Sequence, residues 1–403
     1  MPIYVYVAKD MEGKTIKGTF DASSKEEVLL LIREKRYIPL QIDELRESWG
    51  GDINFSFEKK VSIKDLALLC RQFATTIRSG ITVVDSIDIL RKQTTNKKLA
   101  GVLDLMYDDL LRGNSLSASM AKEPKVFPYL LISMIQTGEI SGTLDKVMED
   151  MAVHFEKEYK INQKVKSALT YPIVVSIVSI LVVVILLTFV MPTFINMFDS
   201  FGAELPFATK LLMGISTSIR SFWYIHILII VATVYFLKKY TSTPQGRYKL
   251  DKFKLKMILF GPLNTKVVMS RFANTLSVML NSGIDILQSL DVVQRVVNNE
   301  YIKKDLNVVK DGVRKGFSIG KTMEESGSFP PLVYQMVEVG ENSGTLDYVL
   351  EKVADFYDTE VETAVDQLTT LIEPLIIVIL GIIVAFIVIS MILPIFDLYN
   401  IIS

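Results

Sequence analysis

The stretch "GEISGTLD" stands at residues 138–145 and "GENSGTLD" at residues 340–347, with seven of eight letters identical. The same 202-residue offset pairs "VFP" (126–128) with "SFP" (328–330), Pro172 with Pro374, and Pro192 with Pro394. Upstream the offset is 203, where "IRSGITVVDSIDIL" (77–90) faces "LNSGIDILQSLDVV" (280–293). One unit is therefore present twice. Each copy carries a polar helical region and the apolar segment that follows it.

Inside each copy the local signals predict helices. In "SIKDLALLCRQFATTIRSG" (62–80) apolar residues recur at spacings of three and four, Ser62 and Asp65 form a capping box, and Gly80 supplies the stop. Gly283 takes the same place in the second copy, so both glycines are read as hairpin turns. Thr82 with Asp85 restarts a helix in the first copy, as Asp285 with Gln288 does in the second. Further segments at 97–111, 129–137 and 143–166 complete a bundle of about six helices.

In the repeated motif, Gly138 and Gly340 follow apolar helices where a left-handed cap is usual. Ser141 or Thr143 is placed to cap the helix that comes next, with Asp145 near its positive end. A rigid helix turn accounts for Gly138, Ser141 and Gly142 and for their counterparts Gly340, Ser343 and Gly344. It does not require Glu139 and Glu341. These two are the candidates for a contact or an ion that fixes packing between the copies or with a partner.

Three segments predict membrane spans. Residues 171–192 and 374–394 contain no charge and exceed the roughly 20 residues a helix needs to cross a bilayer. The segment 222–237 has only 16 residues and needs neighbours to complete a span. Pro172, Glu373 and Pro374 mark membrane edges. Lys157, Lys160, Lys164 and Lys166 precede the first span, and Lys238, Lys239, Arg247, Lys249, Lys252, Lys254 and Lys256 follow the second. The connection between them holds only Lys210 and Arg220. Since basic flanks resist translocation, both large polar regions are expected to face the cytoplasm and the tail 395–403 the outside. The resulting order is a bundle at 61–170, a span at 171–192, an extracytoplasmic connection at 193–221 and a span at 222–237. A basic connecting segment at 238–263, a second bundle at 264–373 and the last span at 374–394 follow.

The first 45 residues read differently: "IYVYVAKD" and "TIKGTFDA" alternate around "MEGK" as a hairpin, "SSKEEVLLLIREKR" as a helix and "YIPLQI" as a returning strand. A small α+β domain at 1–45 and a polar linker at 46–60 follow from this. The start of the chain shows no basic region leading into a long apolar stretch, so no cleavable signal peptide is expected and this domain is placed in the cytoplasm.

Composition narrows the function. With 44 basic and 45 acidic residues the formal charge is −1, which offers no polyanion-binding excess, so direct nucleic-acid binding is set aside. One cysteine excludes an internal disulfide and a cysteine metal cluster, and the two histidines, His154 and His226, are too few for a histidine site. His226 inside an apolar segment is read as a packing residue, and no cofactor or metal is expected. "AKDMEGKT" (8–15) ends like a phosphate loop but has Ala8 where a glycine belongs and joins two strands. "GKT" at 320–322 lacks the upstream glycine too. No nucleophilic triad is visible, so an enzyme is not expected. The competing reading is a small membrane transporter or channel subunit, which would be expected to carry broken helices or internal charges.

The chain resembles the F/PilC family of inner-membrane platform proteins of type II secretion and type IV pilus machines. The resemblance rests on "YVAKDMEGKTIKGTFDASSKEE" with "YIPLQI", the paired "SGI" hairpins at 79–81 and 282–284, both "GExSGTLD" loops, and "TPQGRYKLDKFKLKMILFGPLNTK" before the second bundle. It implies two cytoplasmic helical domains, three membrane helices and no catalysis. It also implies a cytoplasmic hexameric assembly ATPase, pilin or pseudopilin subunits and other inner-membrane assembly proteins as partners, with self-association into a homo-oligomer. The helix before the first span bears lysines while its counterpart at 353–373 is acidic, which implies that the two copies meet different partners.

Overall fold

The computed structural model describes residues 3–9, 15–22, 25–34, 37–45, 60–194 and 206–402, and the chain divides into two units, Met1–Glu58 and Lys59–Ser403. In the first unit β1 (Ile3–Lys9) is the central strand, antiparallel to β2 (Thr15–Asp21) on one side and to β3 (Ile38–Leu45) on the other. The helix α1 (Lys25–Glu34) places Val28 and Ile32 against Ala8 and Ala22. Ala8 lies in β1 and Thr15 opens β2, so the phosphate-loop look-alike connects neighbouring strands; its residues 10–14, and the serine caps 23–24, lie outside the described residues.

The second unit is helical among its described residues. The first copy runs through α2 (Ile63–Arg78), α3 (Val83–Gln93), α4 (Lys97–Leu111), α5 (Leu116–Ala121), α6 (Tyr129–Ser141) and α7 (Leu144–Phe194). Its caps are those the residues specify. Ser62 and Asp65 exchange hydrogen bonds at the start of α2, and Thr82 Oγ1 accepts from the Asp85 N–H at the start of α3. Between the copies lie α8 (Phe207–Ser221), α9 (Trp223–Thr241) and α10 (Pro244–Lys256). The second copy repeats the first as α11 (Gly261–Asn281), α12 (Ile286–Val296), α13 (Glu300–Arg314), α14 (Ile319–Ser326), α15 (Pro331–Ser343) and α16 (Leu346–Ile402). Asp285 caps α12 by accepting from the N–H groups of Leu287 and Gln288, and Gly80 and Gly283 hold the predicted hairpin turns at φ 84° and 76°. Each copy has its own apolar core, centred on Phe73 and Phe127 in the first and on Phe272 and Phe329, 5.5 Å apart, in the second. Each such ring removes apolar surface from water worth about 2–3 kcal/mol.

Two expectations are revised here. The segments 143–166 and 171–192 are not separate helices: α7 runs unbroken for 51 residues, past Pro172 and through a π turn at Leu186–Val190. Proline deletes one backbone donor, but the flanking turns retain theirs, so an apolar stretch continues as helix. The connection 193–221 also holds a helix, α8, which packs on the long helices instead of standing apart. Thr209 Oγ1 donates to the Ser390 carbonyl at 2.6 Å, and Ser216 Oγ donates to the Leu187 carbonyl, one of those displaced by the π turn. Helix α9 has no buried side chain, and α10 turns the basic connecting segment into a helix docked on α13 by Asp251, which accepts from the Glu300 N–H at 3.1 Å. Three helices, α7, α9 and α16, are long and apolar enough to cross a membrane.

Candidate functional site

The repeated loop places its glycines differently from the sequence reading. Helix α6 continues through Gly138 to Ser141, and the left-handed residue is Gly142 at φ 72°, with Gly344 at φ 71° in the second copy. The N–H groups of Gly142 and Thr143 both return to the Gly138 carbonyl. Nor do the hydroxyls cap the following helix. Ser141 Oγ donates back to the Thr137 carbonyl and Ser343 Oγ to the Val339 carbonyl, while Thr143 forms no side-chain cap, because α7 begins at once and the shared turn already occupies these groups. Gly138 serves the helix crossing instead. A Cβ there would lie 3.1 Å from Val147 Cγ2 and 3.2 Å from Leu144 Cα, and one on Gly340 would lie 2.9 Å from Leu346 Cα. The missing side chain is what allows α6 to cross α7, and α15 to cross α16, at backbone contact.

Glu139 and Glu341 are turned into their own copies. Glu139 Oε1 accepts from the Leu116 N–H at 2.6 Å, and Oε2 from the Ser117 N–H at 3.2 Å and from the Ser117 hydroxyl. Glu341 Oε2 accepts from the Ile319 N–H at 2.9 Å, the Ser318 hydroxyl at 2.7 Å and the Gly320 N–H at 3.4 Å. Both carboxylates thus sit on the amino ends of α5 and α14, helices of six and eight residues that periodicity does not reveal. Four amide donors are free at any helix start and carry positive partial charge, so a fixed carboxylate stabilises a helix too short to hold itself. The signal that does mark them is Ser115 and Ser318, each an N-cap accepting from the N–H three residues on. The "GKT" at 320–322 belongs to this arrangement: its glycine N–H faces Glu341, and a Cβ on Gly320 would lie 2.6 Å from Glu338 Cβ.

The charge asymmetry between the copies also resolves internally. Lys157 pairs with Asp355 at 2.8 Å, and Lys164 with Glu362 at 3.2 Å and Asp366 at 3.4 Å, so the lysine-bearing and acidic helices meet each other and do not imply different partners. The Tyr171 hydroxyl, at the first residue of the segment 171–192, donates to the predicted membrane-edge residue Glu373 at 3.3 Å, with Pro172 and Pro374 next to them in sequence. Arg271 reaches Asn162 at 3.2 Å and Glu158 at 3.6 Å, next to the buried His154, and the Arg295 guanidinium stacks on Tyr129 at 4.2 Å. Met279, Ile284 and Val292 of the second copy complete the core of the first. These apolar groups hold the seam, since exposed ion pairs contribute about 0.2–1 kcal/mol each. Lys157→Glu or Asp355→Lys alone is expected to lower stability by about 0.5–1 kcal/mol, with the double reversal recovering most of it. A thermal double-mutant cycle on the full chain checks this, and additive losses would show that the pair is not coupled.

Among the described residues no group of three or more His, Cys, Asp or Glu could hold a metal, Cys70 is buried, and the His226 ring nitrogen Nδ1 lies 2.9 Å from the carbonyl of Phe222, the residue just before α9.

The comparisons with known proteins agree with this duplicated architecture. The profile described as "Type II secretion system (T2SS), protein F" matches twice, at residues 69–192 and 272–394, and that of the "Type II secretion system protein F, N-terminal domain" matches residues 1–43. The chain is 35% identical to the type IV pilus assembly protein PilC of Thermus thermophilus over the whole of both chains. It is 36% identical to the PilC of Myxococcus xanthus, over 98% of this chain and 94% of the other, and 28% identical to the type II secretion system protein F of Pseudomonas aeruginosa over the whole of both. The chain belongs to the type II secretion system protein F family.

Proposed function

We propose that this chain is the inner-membrane platform of a type IV pilus or type II secretion machine, on which a cytoplasmic assembly ATPase acts while pilin or pseudopilin subunits are polymerised. The observation that carries this reading is the direct fusion of each helical bundle to an apolar helix through α7 and α16, which ties any movement of a bundle to movement at membrane depth. The basic flanks at Lys157–Lys166 and Lys238–Lys256 support a topology with both bundles in the cytoplasm and the tail outside. In this reading residues 1–45 form a small α+β domain and 61–170 and 264–373 the two bundles, with spans at 171–192, 222–237 and 374–394. The platform itself is not an enzyme. Its partners are the hexameric ATPase, the filament subunits, other inner-membrane assembly proteins and further copies of itself. Deleting the gene in its own strain and restoring it on a plasmid tests the assignment. Loss of sheared surface filaments identifies a pilus platform, and intact filaments with cargo retained in the cell identify a secretion platform. No change in either would overturn the proposal and favour the transporter reading.

A further inference from the structure

The contact between the two copies is head-to-tail. The first copy presents α6 and α7, and the second receives them on α11, α12 and α16. In a two-fold pair the same contacts would recur with the copies exchanged, α15 and α16 seating on α2 and α3. They do not recur. Ile284 and Val292 are 5% and 1% exposed, whereas their counterparts Ile81 and Ile89 stay half-buried, and Phe356, the counterpart of the buried His154, is 46% exposed. A head-to-tail contact leaves one donor face and one acceptor face open, and both are present on every molecule.

We propose that a second copy of this chain seats its α15–α16 face on the α2–α7 face of the first, repeating between molecules the contact that joins the two copies within one. The repeat offsets give the opposing residues. Where the internal seam sets His154 beside Arg271, the external seam sets Phe356 beside Leu68, which are 46% and 55% exposed. Two large apolar side chains that water now covers come together. Where the internal seam pairs Lys164 with Glu362, the external seam sets Asp366, which also lies 3.4 Å from Lys164 of its own chain, against Lys160. The signs are reversed and the complementarity is kept. Because α7 and α16 run in the same direction along the seam, as the pairs Lys157–Asp355 and Lys164–Glu362 show, each added molecule keeps its long helices parallel to the last. The proposal rests on the membrane-platform reading only in that this parallel arrangement keeps all copies in one bilayer.

The test co-expresses two full-length variants, Leu68→Cys in one and Phe356→Cys in the other, and treats the membranes with a short bismaleimide. The native Cys70 is buried, and burial pushes its thiol up, so the parent chain is a silent background. A dimer-sized product is expected from the co-expressed pair and from neither variant alone, and Phe356→Glu in full-length wild-type chain is expected to reduce its mass in detergent to that of a monomer. Equal product from Leu68→Cys alone would show like faces meeting and overturn the proposal. So would the absence of product from the pair. Neither result bears on the filament and cargo phenotypes of the deletion strain, so failure of this proposal and failure of the platform reading are separable.

Discussion

Full-length chain carrying Glu341→Ala is expected to unfold about 2–3 kcal/mol more easily than the parent, because hydrogen bonds to a charged group contribute roughly 1.5–3 kcal/mol each and do not add fully. The carboxylate takes the Ile319 N–H, the Gly320 N–H and the Ser318 hydroxyl, so alanine leaves the start of an eight-residue helix without its acceptor. That helix does not persist by itself. Its loss uncovers Ile319 and Met323, both in the second core. Glutamine keeps an acceptor but loses the charge, and is expected to recover about half of the deficit. Glu139→Ala is expected to act with the same size in the first copy, since α5 is held in the same way. Thermal unfolding in detergent, followed by far-ultraviolet circular dichroism, measures all three variants. A loss below about 0.5 kcal/mol for Glu341→Ala would mean that water replaces the carboxylate and that the repeated acid does not serve to hold α14.

Gly340→Val is expected to cost about 3 kcal/mol, at the upper end of what overpacking a core costs. The first added atom already lies 2.9 Å from a backbone atom, Leu346 Cα, and 3.2 Å from Leu346 Cδ1, so α15 must lift from α16. Gly344→Ala supplies the contrast. A Cβ there meets nothing within 4 Å, and only its φ of 71° resists a side chain, which costs about 1 kcal/mol. Two glycines four residues apart therefore fail for different reasons, one by collision and one by backbone conformation. If the two substitutions proved equally mild under the same unfolding assay, the close crossing of α15 and α16 would not be a source of stability.

Helix starts were legible where a short polar side chain stood ahead of a long apolar period. Ser62, Thr82 and Asp285 cap the helices they were expected to cap, and the segment 97–111 is α4 with those same ends. Helix ends were less legible at the repeated motif. Gly138 has the composition of a stop signal but sits inside α6, and the choice between Gly138 and Gly142 depends on how closely α7 approaches, which no local pattern encodes. Helices α5 and α14 escaped because six or eight residues give too few turns for an apolar period to show. The partners of Glu139 and Glu341 lie on those two helices, so missing the helices meant missing what the acids hold. The pairing of a lysine face with an acidic face 198 residues away is a tertiary fact. It could be read as charge imbalance but not as contact.

The unbroken course of α7 has a mechanical consequence. At about 1.5 Å per residue, its 51 residues make a shaft roughly 76 Å long, anchored in the first core at Val147 and Met151. A shaft without a break transmits force: a push or tilt imposed on the bundle reaches the far end. Where that shaft passes through hydrocarbon, its outward face can carry no unpaired charge. Between Tyr171 and Pro192 it carries none, and Ile173, Ile177, Ile180 and Leu181, spaced i, i+4, i+7 and i+8, line one outward stripe.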